Sequence, residues 1–106
     1  MKPILSTDNI HFEQIYETLQ QYLTKLQEQY QVKTLGIFGS YARGEATDNS
    51  DLDLLVEFQG DLTFDNYMDL KFFLEDLFNK KIDLVIRDDI KAQIREKVLE
   101  KTVYVS

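Results

Sequence analysis

The sequence contains no cysteine, which excludes a disulfide scaffold and a thiolate metal site. Its longest apolar stretches are about four or five residues, too short to span a bilayer. Met1, Lys2 and Pro3 are not followed by the apolar segment of a signal peptide. A single histidine, His11, has no second imidazole to join it in a metal site, so it reads as a surface residue. Basic residues are also short: 12 Lys and Arg against 19 Asp and Glu leave a net charge of −7. A surface of that sign repels phosphate backbones, so nucleic-acid binding is not expected. What remains is globular composition, 43% hydrophobic and 29% charged over 106 residues. That is the size of one domain, 1–106, which buries roughly two-thirds of its surface. The expectation is an acidic, soluble, cytoplasmic protein.

Residues 8–30 repeat apolar side chains three or four apart, from Phe12 and Ile15 through Leu19 and Leu23 to Leu26 and Tyr30. This predicts a leading helix with one broad apolar stripe, capped by Thr7 or Asp8. Residues 32–106 then form the rest of the domain. Val32–Phe38 reads as a buried strand ending in Gly39-Ser40, and one or two helical turns follow over 40–44. Leu52–Phe58 is a second strand, 64–79 a helix, and Lys81–Arg87 a third strand. A helix over about 90–101, capped by Asp88 or Asp89, carries Ile90, Ile94 and Val98 as core residues. Val103–Val105 can add a short last strand. The order is α-β-α-β-α-β-α-β, without repeats or linkers. We expect an α/β (α+β) fold: a small mixed sheet of about four strands with helices packed on one face. The connection from Gly39 to Asp51 is close to the minimum for a parallel crossover, so antiparallel pairing of the first two strands is plausible.

Two segments carry chemistry. In the first, a strand runs into Gly39-Ser40 and a helical turn. Glycine lets a ligand approach the backbone, Ser40 can cap the helix or meet a phosphate oxygen, and Arg43 can add a cation one turn later. Taken alone, a Gly-Ser turn before a helix is ordinary structure. In the second, Asp51 and Asp53 stand two apart, on one face of a strand. Neighbouring carboxylates repel, and a divalent cation relieves them; such pairs also occur on exposed strand ends. A third acid decides between these readings. Asp83 interrupts the otherwise apolar Ile82–Ile86, where aspartate is disfavoured. If that strand lies beside Leu52–Phe58, Asp51, Asp53 and Asp83 can surround one or two metals, as in phosphoryl or nucleotidyl transfer. Asp83 is then the candidate base for the attacking hydroxyl.

Gly39-Ser40 followed by Ala42-Arg43-Gly44, Ser50-Asp51-Leu52-Asp53 and the later Asp83 resemble the signature of the DNA-polymerase-β-like nucleotidyltransferases. The match is similar to the minimal nucleotidyltransferases (MNT domains) and covers nearly the whole chain. The resemblance implies Mg²⁺-dependent transfer of AMP from ATP to a hydroxyl, with two ions. Gly39 and Ser40 would hold the triphosphate, and Asp51, Asp53 and Asp83 would bind metal. It also implies an antitoxin that adenylylates a HEPN-domain ribonuclease toxin, commonly on tyrosine. Many members carry a basic residue where this chain has Tyr41, which leaves one phosphate or partner contact open.

The helix over 64–78 has two apolar stripes, one through Tyr67, Leu70, Leu74 and Leu77, the other through Phe64, Met68 and Phe72. Either it is buried on two sides, or the second stripe docks a partner or a second copy. Lys91 and Arg95 read as solvated, with contact from Arg95 to the triphosphate as the alternative. Two other functions stay open: a non-catalytic antitoxin that blocks the toxin by binding, and nucleotidyl transfer to a small molecule or RNA end.

Overall fold

A computed structural model describes residues 12–47 and 49–106; Thr7, Asp8 and His11 lie outside the described residues. Helix α1 (Phe12–Gln29) buries Ile15, Leu19 and Leu26, with Tyr16, Tyr22 and Leu23 half-buried beside them. It is followed by β1 (Val32–Phe38), α2 (Gly39–Arg43), β2 (Leu52–Phe58), α3 (Phe64–Phe78) and β3 (Ile82–Ile86). A 3-10 turn (Arg87–Asp89), α4 (Ala92–Lys101) and β4 (Val103–Tyr104) complete the chain. The element order is the expected one.

The four strands form one sheet in the order β3-β2-β1-β4. β1 runs antiparallel to β2 and β4, while β2 and β3 are parallel. Connection length accounts for both senses. The short segment between β1 and β2 folds back, whereas the longer one carrying α3 makes the crossover that parallel strands need. Alternation places Leu52, Leu54 and Val56 beside Leu35, Ile37, Ile82 and Leu84 in the core shared with α1 and α3. Asp53 and Asp83 therefore point to the opposite face. Leu55 shares that face and is only 1% exposed, with the 3-10 turn packed against its strand.

Helix α3 starts where Thr63 Oγ1 accepts the Asn66 N–H at 3.1 Å and stops at Asn79 in the left-handed region. Leu70 and Leu74 are buried, so the first predicted stripe faces the core. Phe73 ties α3 to α1 through Tyr22, edge-on at 5.7 Å, and through Lys25 Nζ, 4.8 Å from its ring centre. The second stripe is largely outside: Phe64 is 75% and Phe72 55% exposed.

The C-terminal helix departs from expectation. Asp88 and Asp89 belong to the 3-10 turn, and Lys91 occupies the N-cap without a side-chain bond. Because Ile90 is extended and α4 begins only at Ala92, Ile90 is not in helical phase with the residues after it. Ile90 is buried, but Ile94 is 50% exposed and is not a core residue. Val98 is half-buried.

Leu74→Ala should therefore cost about 2–5 kcal/mol of stability, whereas Ile94→Ala should stay within about 0.5 kcal/mol. Urea unfolding of both variants measures this, and equal losses would contradict the placement of α4.

Candidate active site

The site forms where β1 ends, β2 begins and β3 runs alongside. β1 delivers Phe38 opposite Asp53, and the next residue, Gly39, turns the chain with φ +70°. An added Cβ there would fall 2.0 Å from Asp53 Oδ2, so the backbone touches the carboxylate at a position only glycine can occupy. The turn leads directly into α2. No side chain caps this helix: Phe38 holds the N-cap position and Ser40 lies inside the first turn, so Ser40 does not act as a cap. At the far end, Gly44 closes α2 in the left-handed region, and no described residue crowds its Cβ direction.

The parallel ladder sets Asp53 directly opposite Asp83. This is the juxtaposition that the sequence could state only conditionally. Burial, the charge of Asp83, and a hydrogen bond shared with its side chain push Asp53 from 3.8 up to about 6. Asp51 adds to the rise, and the Arg43 charge opposes it. Asp51 stands just before β2 and reaches Lys81 Nζ at 3.9 Å, an exposed and weak pair. Arg43 spends its Nε on Glu45 Oε1 at 3.0 Å. Arg95 donates to the carbonyls of Asp88 and Ile90, so it braces the 3-10 turn.

Among the described residues, no three His, Asp or Glu side chains are gathered closely enough to hold a metal ion. Asp53 and Asp83 meet each other, while Asp51 turns towards Lys81. The donor set nevertheless suits a hard divalent cation. It offers only carboxylate oxygens, and its two facing members are kept together by sheet register despite their repulsion.

Sequence reasoning missed two contributions. Tyr67 Oη, raised in pKa mainly by burial, donates to the Leu84 carbonyl at 2.5 Å and steadies the strand beside Asp83. Lys80 Nζ donates to the Ser50 carbonyl at 2.7 Å. Neither has a local sequence signal, because each reaches a backbone carbonyl far along the chain.

The site therefore combines a four-stranded mixed sheet with a glycine turn packed on one of two facing strand carboxylates. Residues 19–105 match the family described as the nucleotidyltransferase domain, and the chain belongs to that family, among its minimal members. It is 38% identical over 93 residues to the protein adenylyltransferase MntA of Thermococcus cleftensis, covering 88% of this chain and 94% of that one. A solved structure of a candidate minimal nucleotidyltransferase superimposes with a TM-score of 0.77 at 32% identity, covering 90% and 96% of the two chains. The fold also recurs, at TM-score 0.60 and 18% identity, in a complex of a tri-AMPylated HEPN toxin from Shewanella oneidensis with its MNT antitoxin. That match covers 84% of this chain and 70% of the other. No helix among the described residues is long and apolar enough to cross a membrane.

Two predictions follow from this geometry. Gly39→Ala and Gly44→Ala both meet left-handed strain of about 1–2 kcal/mol, but only Gly39→Ala also strikes Asp53. Urea unfolding should rank Gly39→Ala clearly below Gly44→Ala, and the reverse order would contradict the packing. The second concerns pH in the protein without added divalent cation. Folded Asp53 keeps its proton up to about 6 and unfolded aspartate loses it near 3.8, so Asp53's contribution to stability falls as pH rises between these values. The advantage of Asp53→Asn over the parent should grow from pH 4 to pH 6 and then level off. An advantage independent of pH would contradict the raised pKa.

Proposed function

We propose that the chain is a Mg²⁺-dependent protein adenylyltransferase that moves AMP from ATP to a hydroxyl, a tyrosine hydroxyl, of a partner HEPN ribonuclease toxin. In this reading it is the toxin's antitoxin and works in the cytoplasm. The observation that carries the chemistry is the register that sets Asp53 against Asp83 beside the Gly39 turn. Family membership and the names of the relatives support the direction of transfer, and the toxin complexes of similar fold support the partner.

Gly39 and Ser40 lie at the turn that would take the triphosphate, with Gly39 packed directly against Asp53. Asp51, Asp53 and Asp83 would hold one or two Mg²⁺ ions. Bound Mg²⁺ supplies neutralisation of triphosphate charge and makes the acceptor hydroxyl more acidic. Asp83, exposed on the open face, accepts the acceptor's proton. The acceptor oxygen forms a bond to the α-phosphorus, the bond from that phosphorus to the bridging oxygen breaks, and pyrophosphate leaves. Asp53 must be ionised for this, and because burial and the charge of Asp83 raise it to about 6, acid pH opposes the reaction. Arg43 contributes positive charge within reach of the carboxylates. The stripe on α3 formed by exposed Phe64 and Phe72 with half-buried Met68 between them is the surface on which we place the docked toxin.

Mixing the protein with ATP, Mg²⁺ and its HEPN partner should add the mass of AMP to the partner. Asp53→Ala should remove both the mass gain and neutralisation of the ribonuclease. Neutralisation that survives Asp53→Ala without any mass gain would replace catalysis by simple binding. Transfer to RNA ends or small molecules, with the toxin unmodified, would overturn the choice of acceptor.

A further inference from the structure

We infer that Lys80 is a positioning residue that holds Asp51 in place from the turn between α3 and β3. Asp51 lies one residue before β2, so the strand ladder does not fix it directly. Its two flanking peptides are instead gripped by consecutive residues of one turn. Lys80 Nζ donates to the Ser50 carbonyl at 2.7 Å, and the Lys81 carbonyl accepts the Leu52 N–H at 3.1 Å. The Lys80 ammonium also lies 5.6 Å from the ring centre of Tyr41, which is buried in α2 next to Ser40. One cation therefore joins the helix after the glycine turn, the segment leading into Asp51 and the start of the strand that carries Asp83.

The bond to Ser50 is charge-assisted and partly buried, the kind that fixes geometry most firmly. Tyr41 takes on a second meaning here. Its ring lies beneath the Lys80 ammonium, a cation supplied by the α3–β3 turn. The lysine reaches Asp51 through the Ser50 carbonyl, one peptide away. Groups that orient metal-binding side chains in this indirect way typically change affinity by about ten- to a hundredfold when removed.

The inference rests on the proposed function for the role of Asp51, but its test needs no acceptor protein. Mn²⁺ serves as the probe, with free ion counted by electron paramagnetic resonance in the presence of ATP and the full chain. Lys80→Met keeps the apolar stem over Tyr41 and removes the donor, and should weaken Mn²⁺ binding about tenfold. Lys80→Arg restores a donor and should recover most of that loss. Should the methionine variant fail to fold, Lys80→Gln, shorter and still polar, should show the same weakening. A folded Lys80→Met or Lys80→Gln protein that binds Mn²⁺ like the parent overturns the role of Lys80 and leaves the proposed function standing. A parent protein that binds no Mn²⁺ overturns both.

Discussion

Two aspartates held side by side in a parallel register are the constraint on which the rest of this structure depends. Asp53 and Asp83 face each other across β2 and β3, and burial of Asp53 together with the charge of Asp83 raises its carboxyl to about 6. A sheet tolerates such a pair only if something stronger holds the register. Here it is the alternate residues, Leu52, Leu54, Ile82 and Leu84, buried on the other face against α1 and α3. A one-residue slip of either strand would separate the acids and expose that apolar set together. The core thus fixes the pair from beneath.

Chain connectivity supplies the remaining geometry. A short return from β1 to β2 brings the Gly39 turn onto Asp53, and the longer crossover through α3 lays Asp83 beside it. The same α3–β3 turn that completes the crossover reaches back through Lys80 and Lys81 to the peptides around Asp51. All three acids are consequently placed by one local junction, although their positions in the sequence span two strands and a helix. The open face they share is the face not covered by α1 and α3.

Much of this was legible in the residues. Val32–Phe38 and Leu52–Phe58 declared themselves as strands with the bounds observed, because apolar β-formers are followed by a glycine or a polar turn at each end. Loop length made the antiparallel return plausible, and the observed pairing of β1 with β2 agrees. Asp83 was conspicuous as an acid in an apolar strand, but its register opposite Asp53 is set by the pairing of β3 with β2 and has no local signal. Three further features were hidden. The late start of α4 depends on a 3-10 turn that consumes Asp88 and Asp89, residues that look like helix caps when read locally. The exposure of Ile94 follows from that shift of phase. The reach of Lys80 to Ser50 spans thirty positions, so no local pattern could announce it.

Two facing carboxylates whose repulsion a cation can relieve are the centre of the proposed mechanism. The most direct measurement is an NMR titration of the Asp53 side-chain carboxyl in the full chain, with and without Mg²⁺ and ATP. The account predicts a midpoint near 6 without the cation, moving below the ordinary aspartate range when Mg²⁺ and nucleotide are present. A midpoint at the ordinary value of 3.8 that ignores both additions would contradict it.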